Sequence, residues 1–132
     1  DAYTKEQNRK MLSSSWGVTD RASADAVLER LLESGGATGS AWDYSRAMSN
    51  LGFYYLAGYY TMDEALNRSL EVAKTIQSTY HSWDEFISSY LAGYNAWAGR
   101  EAEGRESIYK GLKGSAFNPY AVDWNLELKK TW

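Results

Sequence analysis

Asp43 and Arg46 are the residues best placed to do chemistry in this 132-residue chain. Within Ala41-Trp-Asp-Tyr-Ser-Arg46 they stand at i and i+3, which puts both on one helix face. A carboxylate beside a guanidinium, flanked by Trp42 and Tyr44, can grip an anionic or hydroxylated ligand. The same pair can equally tie its helix to a neighbouring segment. Tyr59 and Tyr60 follow a helix end and are expected at the surface. Tyr90, Tyr94 and Trp97 fall on a helical stripe and are expected in or around the core. The ligand-binding set read from the sequence is therefore Trp42, Asp43, Arg46, Tyr59 and Tyr60. No catalytic residue is assigned. An enzyme, which would be of hydrolase type, would have to use Asp43 and Arg46 with Glu85 or with the only histidine, His81. A second reading of His81-Ser-Trp-Asp84-Glu85 is a surface histidine ahead of a helix cap, with the two acids placed by the helix dipole.

Other chemistries lack their residues. The chain has no cysteine and one histidine, too few for a zinc site or a Cys nucleophile. No Asp-x-Asp-x-Asp-Gly loop is present for calcium, and Gly35-Gly-Ala-Thr-Gly39 lacks the Lys-Ser/Thr of a phosphate loop. No metal and no cofactor is expected. Fourteen basic residues against 17 acidic ones give a net charge of −3, so no nucleic-acid partner is expected.

The elements that must position these residues read as helices. Thr4 caps a first one that runs to Trp16 and stops at Gly17. Thr19 or Asp20 caps a second, with the stripe Ala24, Val27, Leu28, Leu31, Leu32. It ends at Gly35-Gly36, ahead of a flexible loop over 35–40. Ser40 caps a third, to about Ala57. Thr61-Met-Asp-Glu64 and Ser82-Trp-Asp-Glu85 are capping boxes. The stripe after the first is Met62, Leu66, Ser69, Ala73, Ile76, Tyr80. The stripe after the second is Trp83, Ile87, Tyr90, Tyr94, Trp97. Residues 99–107 read as a solvated connection, followed by a short helix over 107–113. The apolar residues of 120–128 alternate like a strand. An Asp123-capped helix carrying Trp124, Leu128 and Trp132 fits as well and is preferred. Tyr55-Leu-Ala-Gly-Tyr59 recurs as Tyr90-Leu-Ala-Gly-Tyr94, which suggests two close helix crossings. With 11 Tyr, 6 Trp and 3 Phe, the expected fold is all-α: a single compact domain over 1–132, of five to six helices around an aromatic-rich core, the tail 114–132 packing on it.

Trp16-Gly-Val18 with Asp20-Arg21, Ala41-Trp-Asp-Tyr-Ser-Arg46, Ala57-Gly-Tyr59 with Asp63-Glu-Ala65, and Ser82-Trp-Asp-Glu-Phe86 with Tyr90-Leu-Ala-Gly93 and Trp97 resemble a bacterial family known as domain of unknown function 1266. The resemblance runs from about Leu12 to Gly99. It carries over no catalytic residue. Its defining positions here are Trp42, Asp43, Arg46, Gly58, Trp83, Tyr90, Gly93 and Trp97. The loop at 35–39 departs from the family's pattern. The tail, Asn118-Pro-Tyr120 with Asp123-Trp-Asn-Leu126, is similar to a subset in gut Firmicutes. There the domain ends a secreted lipoprotein, after a signal peptide, a lipid-anchoring cysteine and an acidic linker. The resemblance thus implies an extracellular or cell-surface module that meets the membrane only through an upstream anchor. Its role would be to bind a protein, peptide or glycan, with a purely structural domain of a larger lipoprotein as a further alternative.

Overall fold

The computed structural model describes residues 1–99 and 103–132. Among them are six α-helices and no strand. These are α1 (Ala2–Trp16), α2 (Arg21–Thr38), α3 (Ala41–Leu56), α4 (Met62–Thr79), α5 (Trp83–Ala98) and α6 (Glu103–Lys113), followed by a 3-10 turn, Pro119–Ala121. The fold is all-α, with an aromatic-rich core.

Helix α3 runs through the middle and packs against α1, α2, α4 and α5. Its buried residues are Ala41, Asp43, Tyr44, Ala47, Asn50, Leu51 and Tyr54. Leu12 and Val18, then Ala24, Val27, Leu28 and Leu31 of α2, close the core on one side; Ala65, Val72 and Tyr80 close it on the other. Each large apolar side chain taken from water here contributes about 1.5–3 kcal/mol. Edge-on ring pairs, Tyr44–Tyr80 and Tyr80–Phe86, extend the core toward α5.

Several helix ends follow the local chemistry of the sequence. Gly17 takes the left-handed conformation (φ 67°) and stops α1. Asp20 caps α2, and Thr61 with Glu64 forms a complete box at α4. Ser82 accepts from Glu85 N–H, but the Glu85 carboxylate reaches past Ser82 to the amide of His81.

Other expectations are corrected. The cap of α1 is Asp1, which accepts from Thr4 N–H, so the helix starts earlier than Thr4. Helix α2 does not stop at Gly35-Gly36 but runs to Thr38, with Gly39 (φ 68°) as its stop, and the expected 35–40 loop is mostly helix. Gly35 is there for packing: a Cβ at this position would stand 3.1 Å from the Tyr44 ring. In α4 the buried line begins at Ala65 and Val72, while Met62 and Leu66 are exposed. The expected connection at 99–107 falls partly outside the described residues, and α6 begins at Glu103 rather than near Ser107. Residues 120–128 form neither a strand nor an Asp123-capped helix. After the 3-10 turn they run irregularly along α4 and α5, with one local turn in which Asp123 accepts from the Asn125 and Leu126 amides and with the remaining bonds made to those helices. Trp124 Nε1 donates to Tyr80 O (2.9 Å), Gln77 Nε2 donates to the carbonyls of Trp124 and Leu126, and Trp83 Nε1 donates to Val122 O (2.7 Å). Leu126 and Leu128 help line an apolar cavity of about 520 Å³ beneath the tail.

Candidate functional site

The first turn of α3 is held from outside its own helix. Ser40 makes no side-chain cap bond. Instead Ser89 of α5 accepts from Ala41 N–H (2.9 Å) and donates to Gly39 O (2.9 Å). The crossing is close because α5 presents Gly93. A Cβ there would lie 2.5 Å from Trp42 Cβ and 2.6 Å from Ser40 Oγ, which the packing forbids. Of the two Tyr-Leu-Ala-Gly-Tyr copies, only the one in α5 makes a crossing. Gly58 of the other is a left-handed residue after α3, next to Lys5.

This crossing sets Trp42 among rings. Tyr90 and Tyr94 meet it edge-on at 5.4 and 5.3 Å, and Trp97 lies tilted at 5.6 Å. From α6, Arg105 donates to the Tyr90 hydroxyl and lies 4.0 Å over the Tyr94 ring and 5.5 Å from Trp42. Next to Trp42 along α3, Asp43 is buried. Its Oδ1 accepts from Arg46 Nη2 (2.5 Å) and its Oδ2 from Ser34 Oγ (2.8 Å). The Arg46 guanidinium lies between the rings of Trp16 (5.6 Å) and Trp42 (5.0 Å). Arg46 Nε, Trp42 Nε1 and Asn50 Nδ2 are buried with no acceptor among the described residues.

A groove of about 590 Å³ opens beside this cluster, walled by Trp16, Trp42, Arg46, Tyr90, Trp97 and Arg105 with several serines and Asn50. Its described lining contains two guanidiniums and no carboxylate. The volume is that of a small-molecule site. Trp97, expected with the core, is 65% exposed on its rim.

The other sequence candidates lie elsewhere. Tyr60 is buried rather than exposed: its hydroxyl donates to Asp25, and Arg21 stacks 3.9 Å over its ring. Burial and the Asp25 carboxylate push the Tyr60 phenol well above its ordinary value. Tyr59 is half-buried beneath Arg9, 4.9 Å from its ring. Both follow the far end of α3, about 20 Å along the axis from Trp42 at 1.5 Å per residue, so the expected ligand set is not brought together. His81 is exposed, with Nδ1 3.2 Å from Glu85 Oε2. Because α5 meets Trp42 at Gly93, Glu85 lies about 12 Å back along that helix. Asp84 accepts from Tyr109 Oη (2.6 Å) and Lys113 Nζ (2.8 Å), which ties α6 to α5; these two bonds hold its carboxyl below the ordinary value. No group of three or more His, Cys, Asp or Glu able to hold a metal occurs among the described residues.

Sequence reasoning missed Arg105 and misplaced Trp97. Arg105 stands in a polar stretch with no apolar periodicity, and only the fold of α6 onto α5 brings it to Trp42.

A family model described as protein of unknown function (DUF1266) matches residues 37–124. No curated protein and no solved structure matches. The match leaves out α1 and nearly all of α2, including Trp16, but covers α3 to α6 and the tail to Trp124. Trp42, Asp43, Arg46, Tyr90, Gly93, Trp97 and Arg105 all lie within it, and the chain belongs to this family, DUF1266.

Proposed function

We propose that this domain is a non-enzymatic binding module whose ligand face is the groove between α1, α3, α5 and α6. The observation that carries the reading is the composition of that groove: exposed Trp97, ringed Trp42 and two arginines meet around one small-molecule-sized space. Aromatic walls with a few convergent polar groups are the usual form of a binding site. Placement at the bacterial cell surface belongs to the same proposal and rests on the likeness of the tail; fractionation of cells producing the full-length protein tests it.

Thermal unfolding in the presence of a panel of short peptides and envelope glycans tests the binding role. A ligand that binds only the native state raises the midpoint by mass action. The expected result is a compound that raises the midpoint of wild type and fails to raise that of Trp97→Ala. Compounds that raise both equally would place the binding face elsewhere.

A further inference from the structure

We infer that the ligand of this groove is a small carboxylate carried on a flat apolar ring, held by Arg46 and Arg105 with its ring against Trp97 and Trp42. The inference rests on the reading of the groove as the ligand face and adds the chemistry of what enters it.

Hydrogen-bonding capacity supplies the first argument. Arg46 Nε and Trp42 Nε1 are buried donors without an acceptor among the described residues, and both belong to side chains that wall the groove. Buried N–H groups in folded proteins are nearly always paired. A group that reaches these donors has to bring acceptors, and a carboxylate is all acceptor.

Charge supplies the second. The chain as a whole is acidic, at −3, yet this groove has two guanidiniums and no carboxylate in its described lining. Asp43 answers Arg46 from behind, at 2.5 Å. The partners described for Arg105 are the side chains of Tyr90 and Tyr94 and the Trp42 ring, none of them a carboxylate. Among the described residues about one positive charge is thus left over, which matches a carboxylate at −1 better than a phosphate monoester near −2.

Shape supplies the third. Trp97 is exposed on the rim and Trp42 stands behind it, 5.6 Å away. Flat rings meet such surfaces by offset or edge contact.

The probe is 2-naphthoate, titrated into ¹⁵N-labelled protein while the assigned Trp42 indole N–H resonance is followed. Its uncharged counterpart, 2-naphthamide, and inorganic phosphate form the comparison arms. Saturable movement of the Trp42 resonance with naphthoate is expected, with binding at least tenfold weaker for the amide. Arg105→Gln, a change at an exposed side chain, is expected to weaken naphthoate tenfold or more and to steepen no salt dependence. Amide binding as tight as naphthoate, with Trp42 still moving, would overturn the carboxylate and leave the groove as the ligand face. Phosphate binding tighter than naphthoate would overturn the carboxylate in favour of another anion. A Trp42 resonance unmoved by all three at millimolar concentration would overturn this inference, and the groove reading would then rest on the peptide and glycan panel alone.

Discussion

The two ends of α3 carry nearly the same residue types and use them in opposite ways. At the far end, Arg21 bonds Asp25 (3.0 Å), Glu64 (2.7 Å) and the Tyr59 carbonyl (3.2 Å), and covers Tyr60, whose hydroxyl donates to Asp25. Arg21, Asp25 and Glu64 answer one another there, while Arg9 is taken up by the Ala57 carbonyl and the Tyr59 ring. At the near end Arg46 has a single carboxylate partner, Arg105 has none described, and buried donors of Trp42, Arg46 and Asn50 are left over beside a groove. An arginine, a carboxylate and aromatic rings make no binding site by themselves. Tyr54 Oη is left over at the far end as well, so what distinguishes the near end is the groove that its leftover donors wall.

The comparison can be broken most forcefully at Arg46. Arg46→Ala strips the buried Asp43 of its counter-charge, and removing one partner of a buried pair costs about 3–5 kcal/mol. The midpoint of thermal unfolding should fall by about 10 °C or more. A near-wild-type midpoint would mean that Asp43 needs no partner. Gly93→Ala comes next, since the new Cβ meets Trp42 and Ser40 at 2.5 and 2.6 Å. Overpacking of this kind costs about 1–3 kcal/mol. Urea unfolding should show that loss together with a displaced Trp42 resonance, because the crossing that seats Trp42 would have to open.

At the closed end, Tyr60→Phe removes one charge-assisted bond and should cost about 1–2 kcal/mol by the same urea measurement. The tyrosines there also contribute to the alkaline limit, with Tyr80 and Tyr109 elsewhere. Burial raises Tyr54 to about 12, and Tyr60 is raised by burial and by Asp25. Above pH 10 the unfolded chain releases phenolic protons that the native state keeps, so the native state binds more protons and stability falls as pH rises. The loss should be absent below pH 10, develop between pH 10 and 12, and be shallower in Tyr54→Phe. Denaturant midpoints at pH 9, 10 and 11 check this.

Much of the framework could be read along the chain. Helix stops and caps are local devices, and Gly17, Asp20 and the Thr61–Glu64 box act as their chemistry dictates. What failed was decided across the fold. Gly35 looks like a stop, but its missing side chain admits the Tyr44 ring inside a continuing helix. Ser40 looks like a cap, but Ser89 from another helix takes the amide. The tail alternates like a strand, but its partners are side chains and carbonyls of α4 and α5. The site divides the same way. Trp42, Asp43 and Arg46 were visible because one helix turn holds them together. Tyr60 was misread because a position past a helix end says nothing of the Asp25 that buries it. Arg105 was invisible because its neighbours come from α3 and α5.

The smallest expected effect makes the most direct test. If the near end of α3 is kept for a ligand and the far end for the fold, an exposed arginine with no described carboxylate partner should matter little to stability. Thermal midpoints of Arg105→Gln and Tyr60→Phe, measured side by side, decide it. The account predicts Arg105→Gln within about 2 °C of wild type and Tyr60→Phe lower by about 4 °C or more. The reverse order would make Arg105 a brace of the fold and would contradict the assignment of this groove to a ligand.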